Sequence, residues 1–534
     1  MRLGLGTDVF GFLRQATIFD VIWDMSSSST VLTGTNGVHP IHSKMKGCVL
    51  SDAGVVQYYL DDSNHFNKAG MAPSISGTAA SGTGKLTLVD TGAFVGAEVG
   101  AYVYNSSKGR YFQIVTRTDD QLTFQFALDS VVDKWGVADG TSSGKLVDSA
   151  GDFVNKGVQV GMIAHKRDQS ASAVITNVTA TELTLDADIF VSTDEYSISD
   201  GWEVGDSYEV QTAVLDGSDG QVMIEIPKFY FKYVGDTNTR TWYLSDLPAT
   251  GYEVHPAFVV GGVEKSYIYV GKYEGSIEDA NSRGQQSNAL TGYNLGTDKL
   301  ASVAGFQPVT SGQRSEFRTV AANRGAGWQQ IDWLTNWALQ LLYMAEYSDM
   351  HSQSVLSYGV SNWSSSVWNN YISYYAIGHT AFGTHKGTTS FDGVLSGGDV
   401  GSYMAYRGIE NWYGNIWKWL DGINFNSGAV YISDDPSVYA DDTTTDYTDV
   451  GITNATSNGY ISKVGDSKWG LLPTESSGSS STYIPDYYFY NSGWRVALGG
   501  GSAFNGVNAG FATLYASDAS SFRFATVGSR LCFR

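Results

Sequence analysis

The chain ends in SAFNGVNAGFATLYASDASSFRFAT (residues 502–526) followed by VGSRLCFR. Within this segment Ala503, Phe504, Asn505, Asn508, Thr513, Tyr515, Ser517, Asp518, Phe522, Phe524 and Thr526 mix side chains that do not substitute for one another in a packed core. The chemistry open to such a set is non-covalent recognition. Phe and Tyr supply large contact area at low entropic cost, while Ser, Thr, Asn and Asp supply directional hydrogen bonds. Gly499, Gly500, Gly510, Gly528, Ser529 and Leu531 read as the framework around them. A surface that changes its side chains and keeps its fold needs a backbone whose energy ignores those side chains. Glycines let such a backbone turn without help from its neighbours. The spacing Phe522-x-Phe524-x-Thr526 also fits a terminal strand that turns its phenylalanines into a core.

Covalent and metal chemistry find little purchase. Cys48 and Cys532 are too few for a disulfide framework and read as two buried thiols. His39-x-x-His42, next to Pro40, is a lone pair of the kind more often structural or exposed than metal-binding. The GTGKL string at 82–86 lacks the strand–loop–helix setting of a phosphate loop, and HExxH and G-x-S-x-G are absent. DDPSVYADDTTTDYTD, Asp434 to Asp449, could attract a divalent cation but lacks EF-hand spacing, so it reads as a solvated acidic loop. Carboxylates are too plentiful for a glycosidase pair to be picked out. The expectation is a binding protein with no catalytic residues, no cofactor and no metal.

The rest of the sequence must position that segment. With 534 residues, 16% charged, 13% aromatic, Gly 62 and Pro 9, the balance suits a loop-rich, mostly β chain with minor α content. A net charge of -21 argues against nucleic acid and anionic membranes as partners. No secretion signal or long apolar span is evident, so neither signal peptide nor membrane insertion is expected. Residues 1–37 read as an N-terminal segment suited to attachment, or as a first strand and linker. Met45 to Asp62 reads as two strands about an Asp-Ala-Gly turn, within an opening portion at 38–75. An internal repeat follows at 76–212, its copies beginning at Gly84 and Gly144 and spanning about 84–143 and 144–212. Gly84/Gly144, Asp90/Asp148, Phe94/Phe153 and Val99/Val160 are the shared residues, of the kinds that turns and cores need, which suggests two tandem β modules serving as spacer or decoration. From Asp216 the character changes. Val222, Ile224 and Ile226 alternate with Met223 and Glu225 until Pro227 interrupts, as at an edge or bulge. The one strong helix pattern is GWQQIDWLTNWALQLLYMAEY. Trp333, Trp337 and Leu341, with Leu334, Ala338, Leu342 and Ala345, form a wide apolar stripe, and Gln329, Gln330, Asn336 and Gln340 take other faces.

RGIENWYGNIWKWLDGINF, Arg407 to Phe425, sets Trp412, Trp417 and Trp419 around Gly414-Asn415, implying a tight turn closed over by indoles. Together with SGWRVALGGGS (492–502) and VGSRLCF, it resembles the C-type lectin fold as used by variable proteins of diversity-generating retroelements. The likeness is to phage tail receptor-binding proteins of the tropism-determinant class. It covers roughly 213–534, with 38–75 as the opening of the same domain and 76–212 as an insertion. It implies that codons for Asn in a mutated template became codons that never encode Glu, Lys, Gln, Met or Trp, and 502–526 contains none of these five. The residues named first above would then be the diversified receptor-binding positions. The paired EPN, QPD and WND signatures of calcium-dependent lectins are missing. The cysteine pair that formylglycine-generating enzymes of this fold need has only Cys532 and Cys48 to draw on. The resemblance implies a homotrimer at a virion tail tip or fibre, joined to other tail proteins and contacting a bacterial surface receptor, protein or glycan. Rival readings are a bacterial surface-displayed variable protein, a tail-associated glycan-degrading enzyme and a purely structural tail protein.

Overall fold

The computed structural model describes residues 16–73, 75–108, 110–128, 135–166, 171–192, 194–279, 290–304, 306, 308–361, 393–395 and 403–534. The first fifteen residues of the expected attachment segment lie outside them. The fold is mostly β, as expected, and its body is organised by two sheets. One has six strands in the order Trp328–Gln330, Leu531–Phe533, Tyr267–Gly271, Gln221–Pro227, Lys46–Leu50 and Val56–Tyr59. The other has eight. Thr448–Thr453, Ala429–Ile432, Trp417–Asn426, Trp494–Gly499, Leu514–Ala516, Ile484–Tyr490 and Gly459–Ile461 lie side by side, and Val527–Gly528 runs parallel to Trp417–Asn426.

The hairpin expected over Met45–Asp62 is present, with Cys48 opposite Tyr59 and Val49 opposite Tyr58. Strand Gln221–Pro227 departs from the expected alternation because it is buried along its whole length. It is a central strand covered on both faces, and Pro227 is its last residue, opposite Tyr267, where a missing N–H costs least. Both cysteines are buried and unpaired.

The helix runs Trp333–Tyr347. It starts where it does because the Asp332 carboxylate accepts the Thr335 N–H at 2.6 Å, and it ends at Ser348 in the left-handed region, φ 50°. Gln329 and Gln330 precede it, in strand Trp328–Gln330. The expected polar face is not solvated: Asn336 and Gln340 are buried with the rest. Asn336 Oδ1 accepts the Trp412 indole N–H at 3.0 Å, and the Gln340 amide donates to the Phe511 carbonyl at 2.9 Å. The polar side of this helix therefore bonds to Trp412 and to the C-terminal segment instead of water. A second helix, Arg314–Ala322, is fixed by a capping box between Gln313 and Glu316. The eight-stranded sheet separates two cores. Leu420, Ile423, Ala497 and Leu514 face the long helix. Trp419, Val496 and Leu498 face Phe317 and Val320 of the shorter one.

The two repeats are nested, not strung in tandem. The first sheet orders its strands Ile75–Thr78, Ser207–Val214, Ala101–Asn105, Arg110–Arg117, Gln121–Leu128 and Thr87–Val89. The second has the same order in Trp135–Val137, Glu195–Ser199, Ile163–Lys166, Ser172–Val178, Glu182–Leu185 and Lys145–Val147. The second copy thus interrupts the first before its closing strand. Sequence similarity exposes the repeat but not the crossing of the chain, because the closing strand of the first copy lies beyond the second. In each copy a tyrosine of the closing strand donates to the shared aspartate at 2.7 Å, Tyr208 to Asp90 and Tyr196 to Asp148. Phe94 and Phe153 are core residues, as expected, whereas Val99 and Val160 are exposed and serve no core. Replacing Tyr196 with Phe removes one hydrogen bond from a buried carboxylate, a loss of about 1–3 kcal/mol. Amide hydrogen exchange is expected to show lost protection across 135–199 with the body unchanged.

Candidate functional site

The C-terminal segment is tied down at intervals and free between the ties. Leu514–Ala516 is a strand of the eight-stranded sheet, antiparallel to Trp494–Gly499 and parallel to Ile484–Tyr490. Asp486, buried on the latter strand, accepts the Ala512 N–H at 2.7 Å. A methyl on Gly510 would lie 1.9 Å from the same carboxylate, so only glycine allows the chain this approach. Gly500 turns with φ 85°, and a Cβ there would meet the Trp412 carbonyl at 2.9 Å. Downstream, the Trp417 N–H donates to the Thr526 carbonyl at 2.7 Å, and Val527 and Gly528 pair with Trp417 and Lys418. Gly499, Ser529 and Leu531 are buried with them, and Trp412, Trp417 and Trp419 cover this framework from inside.

Beneath the framework lies a buried charged network. Lys418 pairs with Glu274 at 2.8 Å and donates to the Gly414 carbonyl at 2.8 Å. Asn415, in the left-handed region with φ 58°, donates its side-chain amide to the same Glu274. Lys272 pairs with Glu410 at 3.2 Å. Arg530 donates to the carbonyls of Gly271, Lys272, Glu410 and Asn411. Burial pushes the Glu410 carboxyl up to about 7, against the pull of Lys272, and the Lys418 ammonium down to about 8, against the pull of Glu274. The Glu410-Asn411 pair is thus part of the foundation.

The expected contact residues divide into three groups. Phe504 and Phe524 are exposed at 41% and 48%. Asn505, Asn508, Tyr515, Ser517, Asp518 and Phe522 are half-buried. Ala503, Thr513 and Thr526 are buried, which corrects their placement on the contact surface. The Ala503 N–H is tied to the Asn415 carbonyl, Thr513 Oγ1 donates to the Asn508 carbonyl, and Thr526 sits where the chain re-enters the sheet. Asn505 also has a local duty, since its Oδ1 accepts from the Ser502 N–H at 2.8 Å. Phe522 and Phe524 are not on a strand. Their rings stack at 6.1 Å, with Phe522 leaning on the second core and Phe524 outward, and the Phe524 carbonyl closes a turn with the Val527 N–H.

Sequence reasoning missed the neighbours that extend this surface. Val507 is 48% exposed. Half-buried rings run from Tyr460 through Tyr487 and Phe489 to Tyr515, which meets the buried Trp417, each contact between 4.7 and 5.3 Å. The Tyr460 hydroxyl donates to Asn508 Oδ1 at 2.6 Å, joining the strip to the 506–508 turn. The signal was present in IPDYYFY, where Asp486 and Tyr488 are buried and Tyr487 and Phe489 point to the other side. Burial pushes the Asp518 carboxyl up to about 6, with Arg495 opposing the shift. The surface therefore loses a negative charge as pH falls through about 6.

Residues considered for metal chemistry are spoken for elsewhere. His39 and His42 are buried, and burial lowers His42 to about 3. In the acidic stretch Asp441 pairs with Arg314 and Arg318, Asp435 caps the turn at Ser437, and Asp442 accepts from Ser520. Among the described residues no cluster of three or more His, Cys, Asp or Glu has the arrangement of a metal site.

No protein-family model and no curated protein matches the chain. Solved structures do. The chain is similar to variants of the Major Tropism Determinant. The P3c variant is 10% identical with TM-score 0.24, the I1 variant 10% with 0.23 and the U1 variant 11% with 0.23. Each likeness covers 83% of this chain, and 97%, 96% and 97% of those chains respectively.

The buried Asp486 gives the framework a pH signature. Burial raises its carboxyl to about 7, so its contribution to stability is complete below the ordinary aspartate range and is lost as pH rises through about 7. Asp486→Asn keeps the acceptor for Ala512 without the charge. Its melting temperature relative to the parent chain is expected to rise between about pH 4 and about pH 7 and to level off above that.

Proposed function

We propose that the chain is a phage tail-tip receptor-binding protein that adheres to a bacterial surface receptor through the 502–526 surface and the aromatic strip beside it. The observation that carries this reading is the separation between backbone and side chain. Buried groups fix the main chain at Gly500, Ala512, Thr526 and Arg530, while the side chains of Phe504, Val507 and Phe524 are exposed. Exposed aromatic side chains on a rigid frame are what a recognition surface needs and a solubility burden otherwise. The absence of Glu, Lys, Gln, Met and Trp from 502–526 supports diversification of Asn codons in this segment.

In this reading the body is C-type lectin-like, the nested modules are an insertion, and the protein is a homotrimer borne on the virion. Multivalency makes modest contacts sufficient. A single site in the high micromolar to millimolar range, about -4 to -6 kcal/mol, gains roughly 10²–10⁴ when several engage one cell. The test is adsorption of particles, or of beads coated with the protein, to susceptible bacteria. Replacing Phe504 and Phe524 together by Asn should cut adsorption at least tenfold while stability stays within about 0.5 kcal/mol per site. Undiminished adsorption would refute the assignment.

A further inference from the structure

A cleft lies on a different part of the body. It encloses about 520 Å³ and is lined by Lys232, Tyr233, Tyr252, Glu253, Lys468 and Trp469, with Asp466 and Val450 at its margin. None of these residues belongs to 502–526. The volume falls within the range of about 300–1,000 Å³ usual for small-molecule sites.

The loop that forms one wall is held with unusual firmness for a surface turn. Arg240, buried, donates to the carbonyls of Val464 and Gly465 at 3.0 and 3.1 Å. Two indoles of the long helix reach out to the same loop, Trp337 to the Lys468 carbonyl at 3.2 Å and Trp333 to the Trp469 carbonyl at 2.6 Å. Tyr233 donates its hydroxyl to Asp466 at 2.7 Å, and Lys468 bridges to Glu253 at 2.8 Å while lying over the Trp469 ring at 5.4 Å. The main chain is thus clamped from the core, and the half-buried faces of Tyr233, Tyr252 and Trp469 line the cleft. Preorganised loops on a rigid scaffold are where binding residues concentrate.

The lining selects the ligand by chemistry. Two lysines balance two carboxylates, so neither a phosphate nor a cation finds an uncompensated partner, and a lysine already covers the face of Trp469. The rim is too polar for a lipid or an apolar cofactor. What remains is a molecule with many hydroxyls and a polarised C–H face. Its C–H groups meet the rings of Tyr233 and Tyr252 and the edge of Trp469, and its hydroxyls exchange hydrogen bonds with both ammonium and carboxylate groups. We propose that this cleft binds a neutral saccharide, independently of the 502–526 surface.

The experiment titrates the full chain with the methyl glycosides of glucose, galactose and N-acetylglucosamine and with cellobiose, lactose and chitobiose, followed by tryptophan fluorescence. At least one probe should give a saturable response with a dissociation constant of roughly 0.1–10 mM. Trp469→Ala should weaken it at least tenfold by calorimetry. Tyr252→Ala, which leaves the clamp intact, should weaken it likewise, and it replaces the first variant if that does not fold. The Phe504→Asn, Phe524→Asn chain should bind the sugar as the parent does, which separates this site from the receptor surface. No saturable response to any probe, or full binding retained in both cleft variants, would overturn the proposal.

Discussion

Arg530 is the constraint on which the C-terminal half depends. Its guanidinium is buried and is shared among four main-chain carbonyls, two at the end of the strand that pairs with the chain terminus, Gly271 and Lys272, and two just before Trp412, Glu410 and Asn411. A charge buried this deeply is tolerable only where acceptors surround it, so the three chain segments must meet in one register. Glu274, with Lys418, Asn415 and Asn411 about it, repeats the device one layer further in. Such groups are weak evidence for stability in themselves. Their effect is to make alternative packings costly, so the path of the intervening segment is set by buried groups on either side of it.

That segment behaves as a series of short spans between fixed points. Gln340 holds Phe511, Asp486 holds Ala512, the sheet holds Leu514–Ala516, and Trp417 holds Thr526. Residues at the fixed points are small or inward, and those between them are large or polar and reach solvent. The energetic division is therefore positional and not compositional. Ala503 and Thr513 resemble their neighbours in type, yet they belong to the framework.

How much of this could be read beforehand follows from what periodicity encodes. The hairpin at 46–59, the apolar stripe of the long helix and the repeat at Gly84 and Gly144 are local patterns, and each was legible. Patterns say which residues share a face, not whether that face is covered. Hence Asn336 and Gln340, read as lying on faces other than the apolar stripe, are buried against Trp412 and the Phe511 carbonyl, and Val99 and Val160 read as core when they are exposed. The nesting of the modules, the helix at 314–322 and the ring strip from Tyr460 to Tyr515 depend on long-range pairing. Of these the helix left a local trace, Gln313 and Glu316 three apart before Phe317, Val320 and Ala321, and the ring strip a partial one in the alternation of IPDYYFY, whereas the nesting left none.

A saturation scan of 499–531 in the full chain, read by resistance to proteolysis and without any receptor, addresses the central claim most directly. Broad tolerance is expected at Phe504, Val507, Asn508, Ser517 and Phe524. Near-complete intolerance is expected at Gly500, Gly510, Gly528 and Arg530, with Ala503, Thr513 and Thr526 accepting only small residues. Comparable intolerance in both groups would mean that the surface residues hold the fold together, and the division between frame and contact would be wrong.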